Sequence, residues 1–216
     1  MFIGHYAVGF GSKKAEPKIS LGTYFMAVNF LDLLWPIFLL LGLEHVKIDP
    51  GNTPMAPLDF YDYPLSHSLL MAIIWSLLFG GIYYLIKKNR KASIILGLGV
   101  FSHWILDFIS HRPDLPIAPG INTYLGLGLW YSVPASVTVE LLLFGTGLYL
   151  YLNTTKANDK TGSFALWGLA ALLLIIYVMN LFSAAPPNVS ILVYSALAQW
   201  LFVIWAYWID RHRTNV

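Results

Sequence analysis

Apolar stretches long enough to cross a bilayer recur near residues 20–43, 65–86, 92–111, 130–152, 163–183 and 190–209. A helix that covers the hydrocarbon core needs about 20 predominantly apolar residues. Backbone N–H and C=O groups find no water there, so a spanning segment must satisfy them internally. Long, continuous apolar runs do so as helices. The expected fold is therefore all-α: a polytopic membrane bundle of about six transmembrane helices, forming one domain over residues 1–216. The chain is 57% hydrophobic and only 11% charged, with a mean hydropathy of +0.65, whereas soluble domains carry about a quarter charged residues.

The segments between the runs are loops by their punctuation: "KIDPGNTPMAPLDFYDYP", "KKNRK", "HRPDLPIAPGIN", "NTTKANDKTG" and "SAAPPN". Lysine and arginine gather before the first run, in "KKNRK", in the fourth loop and after the last run, while the other loops hold only Lys47 and Arg112. The positive-inside rule then puts both termini in the cytoplasm of a cell whose plasma (inner) membrane holds the chain. The N-terminal "MFIGHYAVGFGSKKAEPK" has its apolar part ahead of its lysines, the reverse of a signal peptide, and is expected to stay attached. The 13 Lys+Arg against 11 Asp+Glu are too dispersed for a nucleic-acid surface. With no cysteine, disulfides and thiolate ligands are excluded, and any metal must use histidine and carboxylate.

Against this background the ionisable residues inside the runs stand out. Each costs roughly 2.5–3.5 kcal/mol on insertion scales and persists where it faces a cavity or a partner. Asp32 lies midway along the first run, His67 at the start of the second, His103, Asp107 and His111 in the later part of the third, and Glu140 midway along the fourth. The last two runs carry only Asn180 and Gln199. Residues 1–120 thus read as a metal-site half and 121–216 as scaffold. His103 and Asp107, four apart, share a helix face and can hold one ion together. His111 lies two turns, about 12 Å, beyond His103 at the helical rise, which suits a second metal, a catalytic base or a substrate contact rather than the same ion. Counting the rise from the basic ends places Asp32 level with His103 and Asp107, and His67 level with His111. Nitrogen and oxygen donors without thiolate suit zinc, manganese or iron.

The order "GHYAVGF", then an acidic residue at a broken helix ("NFLDLLWP"), then "SHSLL", then the H-x-x-x-D of "SHWILD" resembles the membrane-bound metal-dependent hydrolase family, also described as LexA-regulated inner-membrane hydrolases, over about residues 1–120. That family is similar in motif style to zinc-dependent phospholipase C. The resemblance implies hydrolysis of an ester or phosphoester, with His5, Asp32, His67, His103 and Asp107 as metal ligands and zinc the leading metal. It also implies that residues 1–11 re-enter the membrane as a short helix, so that His5 can approach Asp32. Two motifs differ. The family's leucine-proline-Asp-x-Asp is here Asp32 followed by two leucines, and its His-Arg-Gly ahead of the Ser-His-Ser is replaced, with Asp62 at the histidine position.

Together these readings predict a membrane hydrolase with a divalent metal among its first three helices. His111 and His67 are its candidate catalytic groups, and its partners are the bilayer and a small-molecule or lipid-like substrate, with no nucleic acid. A transporter of metal ions or protons could use the same cluster as a transit site, but it would need polar residues to continue through the other half of the bundle. A di-iron oxidase would need more closely spaced histidines than the six present.

Overall fold

The computed structural model describes residues 1–216. Helices α1 (Ile3–Ser12), α2 (Leu21–Val28) and α3 (Phe30–Leu40) lead into a hairpin of β1 (His45–Ile48) and β2 (Leu58–Asp62). A single turn, α4 (Pro64–His67), precedes the long helices α5 (Leu69–Lys87) and α6 (Arg90–Ser110). The two-residue strands β3 (Leu115–Pro116) and β4 (Tyr124–Leu125) follow, and then α7 (Val133–Thr154), β5 (Thr155–Ala157), α8 (Lys160–Phe182), α9 (Val189–Leu197), α10 (Gln199–Arg211) and β6 (Arg213–Asn215). All three sheets are two-stranded antiparallel ribbons, and the architecture is all-α.

Five helices are long and apolar enough to cross a membrane, with α9 and α10 together making one of them. The bent pair α2 and α3 makes a sixth if counted as one span. Helix starts follow the capping chemistry of the sequence. Ser68, Asn89, Ser132, Asp159 and Asn188 each accept a backbone N–H of the first turn they precede. Lys88 takes the left-handed conformation (φ 52) that ends α5 and turns the chain into α6.

The first span is broken by 58°. Pro36 sits inside α3, and the break falls at Asn29. Asn29 leaves helical geometry (φ −106, ψ 12), and its side-chain amide donates back to the Phe25 carbonyl. The Val28 carbonyl is thereby free for another donor.

The outside of the bundle is apolar: Leu77, Leu85, Leu98, Leu142 and Phe164 all point outward, the pattern of a lipid-facing surface. Helix α1 is buried along most of its length and packs chiefly on α7, while α2 packs on α10. The first and second halves of the chain therefore interlock. Gly147 makes the α1–α7 approach possible, because a Cβ there would run into the backbone of Ala7. One apolar core joins α1, α2, α7, α8 and α10 through Tyr6, Phe10, Phe25, Leu166 and Ala206. A second joins α2, α3, α5 and α6 through Tyr24, Leu31, Ala72 and Leu96. Between them lies a polar cluster.

Candidate metal centre

Helix α6 carries His103 and Asp107 one turn apart, both buried. The break at Asn29 supplies the first constraint on them. His103 Nδ1 lies 2.8 Å from the freed Val28 carbonyl, and a carbonyl only accepts, so Nδ1 holds the ring proton and Nε2 is left with its lone pair. That Nε2 is fully buried and has no hydrogen-bond partner. It faces Asp107 Oδ2 at 3.1 Å and Asp32 Oδ1 at 3.6 Å. An acceptor buried against two carboxylates needs a cation between them, either a second ring proton or a metal ion.

The other members arrive from separate elements. Glu140 of α7 accepts the N–H groups of Phe2 (2.9 Å) and Gly4 (3.2 Å) and so pins the start of α1. His5, in the first turn of α1, then places Nε2 3.1 Å from Asp107 Oδ1, and its ring stacks on His103 at 3.7 Å, nearly parallel. The Met1 nitrogen is also 2.6 Å from that oxygen. His67, at the end of α4, directs Nε2 to Asp32 Oδ1 at 3.4 Å and Asp107 Oδ2 at 3.8 Å. Asp107 is the hub: Oδ1 faces His5, and Oδ2 faces His103 and His67.

His111 follows the last residue of α6. Helix α6 ends at Ser110, and His111 takes an extended conformation (φ −65, ψ 150). Its Nε2 lies 3.9 Å from Asp107 Oδ1, four residues back along the chain. Its Nδ1 lies 3.0 Å from Asp114 Oδ1, which also accepts the Tyr63 hydroxyl at 3.1 Å. Burial, and then the Asp114 carboxylate, push the Tyr63 phenol well above its ordinary range, so it serves as a donor. Arg112 holds Asp114 at 3.2 Å and pairs with Asp59 as well.

The donor set fits a divalent ion. His5, His103 and Asp107 offer ligand atoms within 4.8 Å of one another, as do Asp32, His67 and His103. Two ligands on one tetrahedral zinc stand about 3.3 Å apart at ordinary bond lengths, close to the separations found here. A neutral imidazole has one free lone pair, so His103 would serve one ion only, whereas Asp107 and Asp32 each offer two carboxylate oxygens. All five expected ligands are thus in one cluster. Asp62 is not. It is half-buried and pairs with His45 at 2.7 Å. Glu140 caps α1, Gln199 accepts the Tyr6 hydroxyl and Asn180 is exposed.

The site is closed on one side. Tyr6, Phe10 and Phe25 meet edge to face, about 5 Å apart between centroids (5.0 and 4.9 Å), beyond His5 along α1. They separate the cluster from the Lys13–Asp210 pair near the far end of that helix. The Asp32 side chain, 26% exposed, is the most open member of the set.

The sequence reading passed over Val28, Asp114, Ser66 and Glu44. Ser66 was within reach, since it stands directly before His67 in "SHSLL". Its hydroxyl lies 2.7 Å from His67 Nδ1, while the second serine, Ser68, caps α5. Glu44 gave no local signal, because its partner Ser66 is 22 residues away in sequence.

Residues 64–185 match the family model described as YdjM inner membrane protein, and the chain belongs to that family. The matched segment contains His67, His103, Asp107 and His111, while His5 and Asp32 lie ahead of it. Neither a curated protein nor a solved structure matches the chain.

Proposed function

We propose that this YdjM-family membrane protein is a metal-dependent hydrolase of an ester or phosphoester, acting on a lipid-like substrate at a site open to the outer face of the membrane. The observation that carries the reading is the buried, unpartnered His103 Nε2 aimed at two carboxylates. His103, His67, Asp32, Asp107 and His5 would hold one or two divalent ions, with zinc the leading candidate and manganese or iron the others this donor set suits. A bound ion would lower the pKa of a water toward about 7 and polarise the scissile bond.

The protein's own groups have separate tasks. His111, with Nδ1 against the Asp114 carboxylate and Nε2 turned toward the cluster, is placed to accept a proton from the attacking water and return it to the leaving group. Tyr63 and Arg112 hold Asp114 in place for it. The Val28 carbonyl and Ser66 orient His103 and His67. The aromatic floor of Tyr6, Phe10 and Phe25 speaks against the transporter reading, which needs a polar path to the other side.

The test is hydrolysis by purified protein in mixed micelles with chromogenic carboxylic-ester and phosphoester lipids. Activity should disappear on chelation and return with zinc. His111→Gln should keep its metal and lose at least about a hundredfold in rate, the typical contribution of a general base. Hydrolysis that is unaffected by chelation, or an H111Q variant at full activity, would contradict the assignment. Metal flux through proteoliposomes in place of hydrolysis would point to the transporter.

A further inference from the structure

We propose that Glu44, acting through Ser66, selects the tautomer of His67 that can ligate a metal and is therefore a positioning residue of this site. The inference rests on the metal-centre reading for its functional meaning, although its structural content can be tested without a metal. Glu44 lies between α3 and β1 and is only 1% exposed. Its Oε1 accepts the Ser66 backbone N–H at 2.7 Å, and its Oε2 accepts the Ser66 hydroxyl proton, also at 2.7 Å. Ser66 Oγ lies 2.7 Å from His67 Nδ1.

A hydroxyl has one proton to give. Given to Glu44, it leaves Ser66 Oγ only lone pairs to present to His67, so Nδ1 must be the donor and Nε2 keeps its lone pair. Nε2 is the nitrogen facing Asp32 and Asp107. Without this relay the preference reverses, because the Asp32 carboxylate 3.4 Å away would draw the proton to Nε2 and block the ligand position. The relay wins because its contacts are short, 2.7 Å against 3.4 Å. Supporting hydrogen bonds of this kind set ligand orientation and basicity in metal sites generally.

Glu44→Gln tests the inference nearly isosterically. The Ser66 backbone N–H can only donate, so the glutamine oxygen must face it, and the NH2 group must then face Ser66 Oγ. The hydroxyl proton turns to His67 Nδ1, and the ring proton moves to Nε2. Full-length protein with 15N-labelled histidine, stripped of metal, is examined by long-range 1H–15N NMR, with the His67 signals assigned by their loss in His67→Asn. Wild type and Ser66→Thr, which retains the hydroxyl, should show protonated Nδ1. Glu44→Gln and Ser66→Ala should show protonated Nε2. Zinc titration should then find affinity reduced about 10–100-fold in the latter pair and unchanged in Ser66→Thr. If Glu44→Gln fails to fold, the contrast between Ser66→Ala and Ser66→Thr reads the same relay. A wild-type His67 already protonated at Nε2, or a protonated Nδ1 in Glu44→Gln or Ser66→Ala, would overturn the proposal. A wild type that shows the expected tautomer and binds no zinc would instead overturn the metal-centre reading and leave the relay standing.

Discussion

At the scale of single residues, the cluster is organised by which nitrogen of each histidine carries the proton. His103 is set by a backbone carbonyl, His67 by a serine and His111 by Asp114, so three rings turn an open Nε2 toward Asp107. Glu44 shows how function and stability part company here. Burial raises its carboxyl above the usual range, and the two Ser66 donors only partly oppose that. A raised folded-state value means that the stability contributed by this group is present below the ordinary glutamate value and is lost as pH rises through the folded value. Once ionised, the side chain is a net cost relative to its protonated form. Glu44→Gln is therefore expected to melt no lower than wild type at pH 7, with the difference shrinking toward pH 4, even as it weakens metal binding. A clear loss of thermal stability at pH 7 would contradict that sign. Asp62, by contrast, stands outside the cluster and pairs with His45.

At the scale of elements, sequence reasoning recovered what depends on local spacing and missed what depends on where an element stops. The i, i+4 face of His103 and Asp107 was legible because both lie well inside α6. Nothing local announced that α6 ends at Ser110, just before His111. The bend in the first span falls at Asn29, whose side-chain amide donates to the Phe25 carbonyl, rather than at Pro36, the strongest local breaker in the run. The short N-terminal helix was legible from its apolar run and one histidine, but not its neighbour, which is α7 from the far half of the chain. Gly147→Leu tests that packing: its side chain would collide with the Ala7 backbone and displace α1 and His5. The expected cost is about 1–3 kcal/mol, read by thermal unfolding, with reduced zinc affinity as well. Leucine tolerated without loss of either would mean that α1 does not pack as described. Glu140→Ala, which removes the acceptor for two α1 N–H groups, is expected to cost about 1–3 kcal/mol and to weaken metal binding through His5.

At the scale of the whole molecule, an apolar exterior surrounds a polar interior cluster closed on one side by aromatic rings. By the positive-inside rule we propose that "KKNRK" faces the cytoplasm and the segment after α6 the outside. The chain has no cysteine, so Lys87→Cys and Asn122→Cys, both at exposed positions, can be labelled singly with an impermeant thiol reagent on intact cells. Labelling is expected at 122 and not at 87, and the opposite pattern would turn the site toward the cytoplasm. The most direct measurement is the metal content of the purified protein beside that of the His103→Ala/Asp107→Ala double variant. Retention of one or two equivalents of zinc, manganese or iron by the wild type, and their loss from a folded double variant, is the predicted result. A metal-free wild type that cannot be loaded, or a double variant with the same content, would show that the cluster holds no ion.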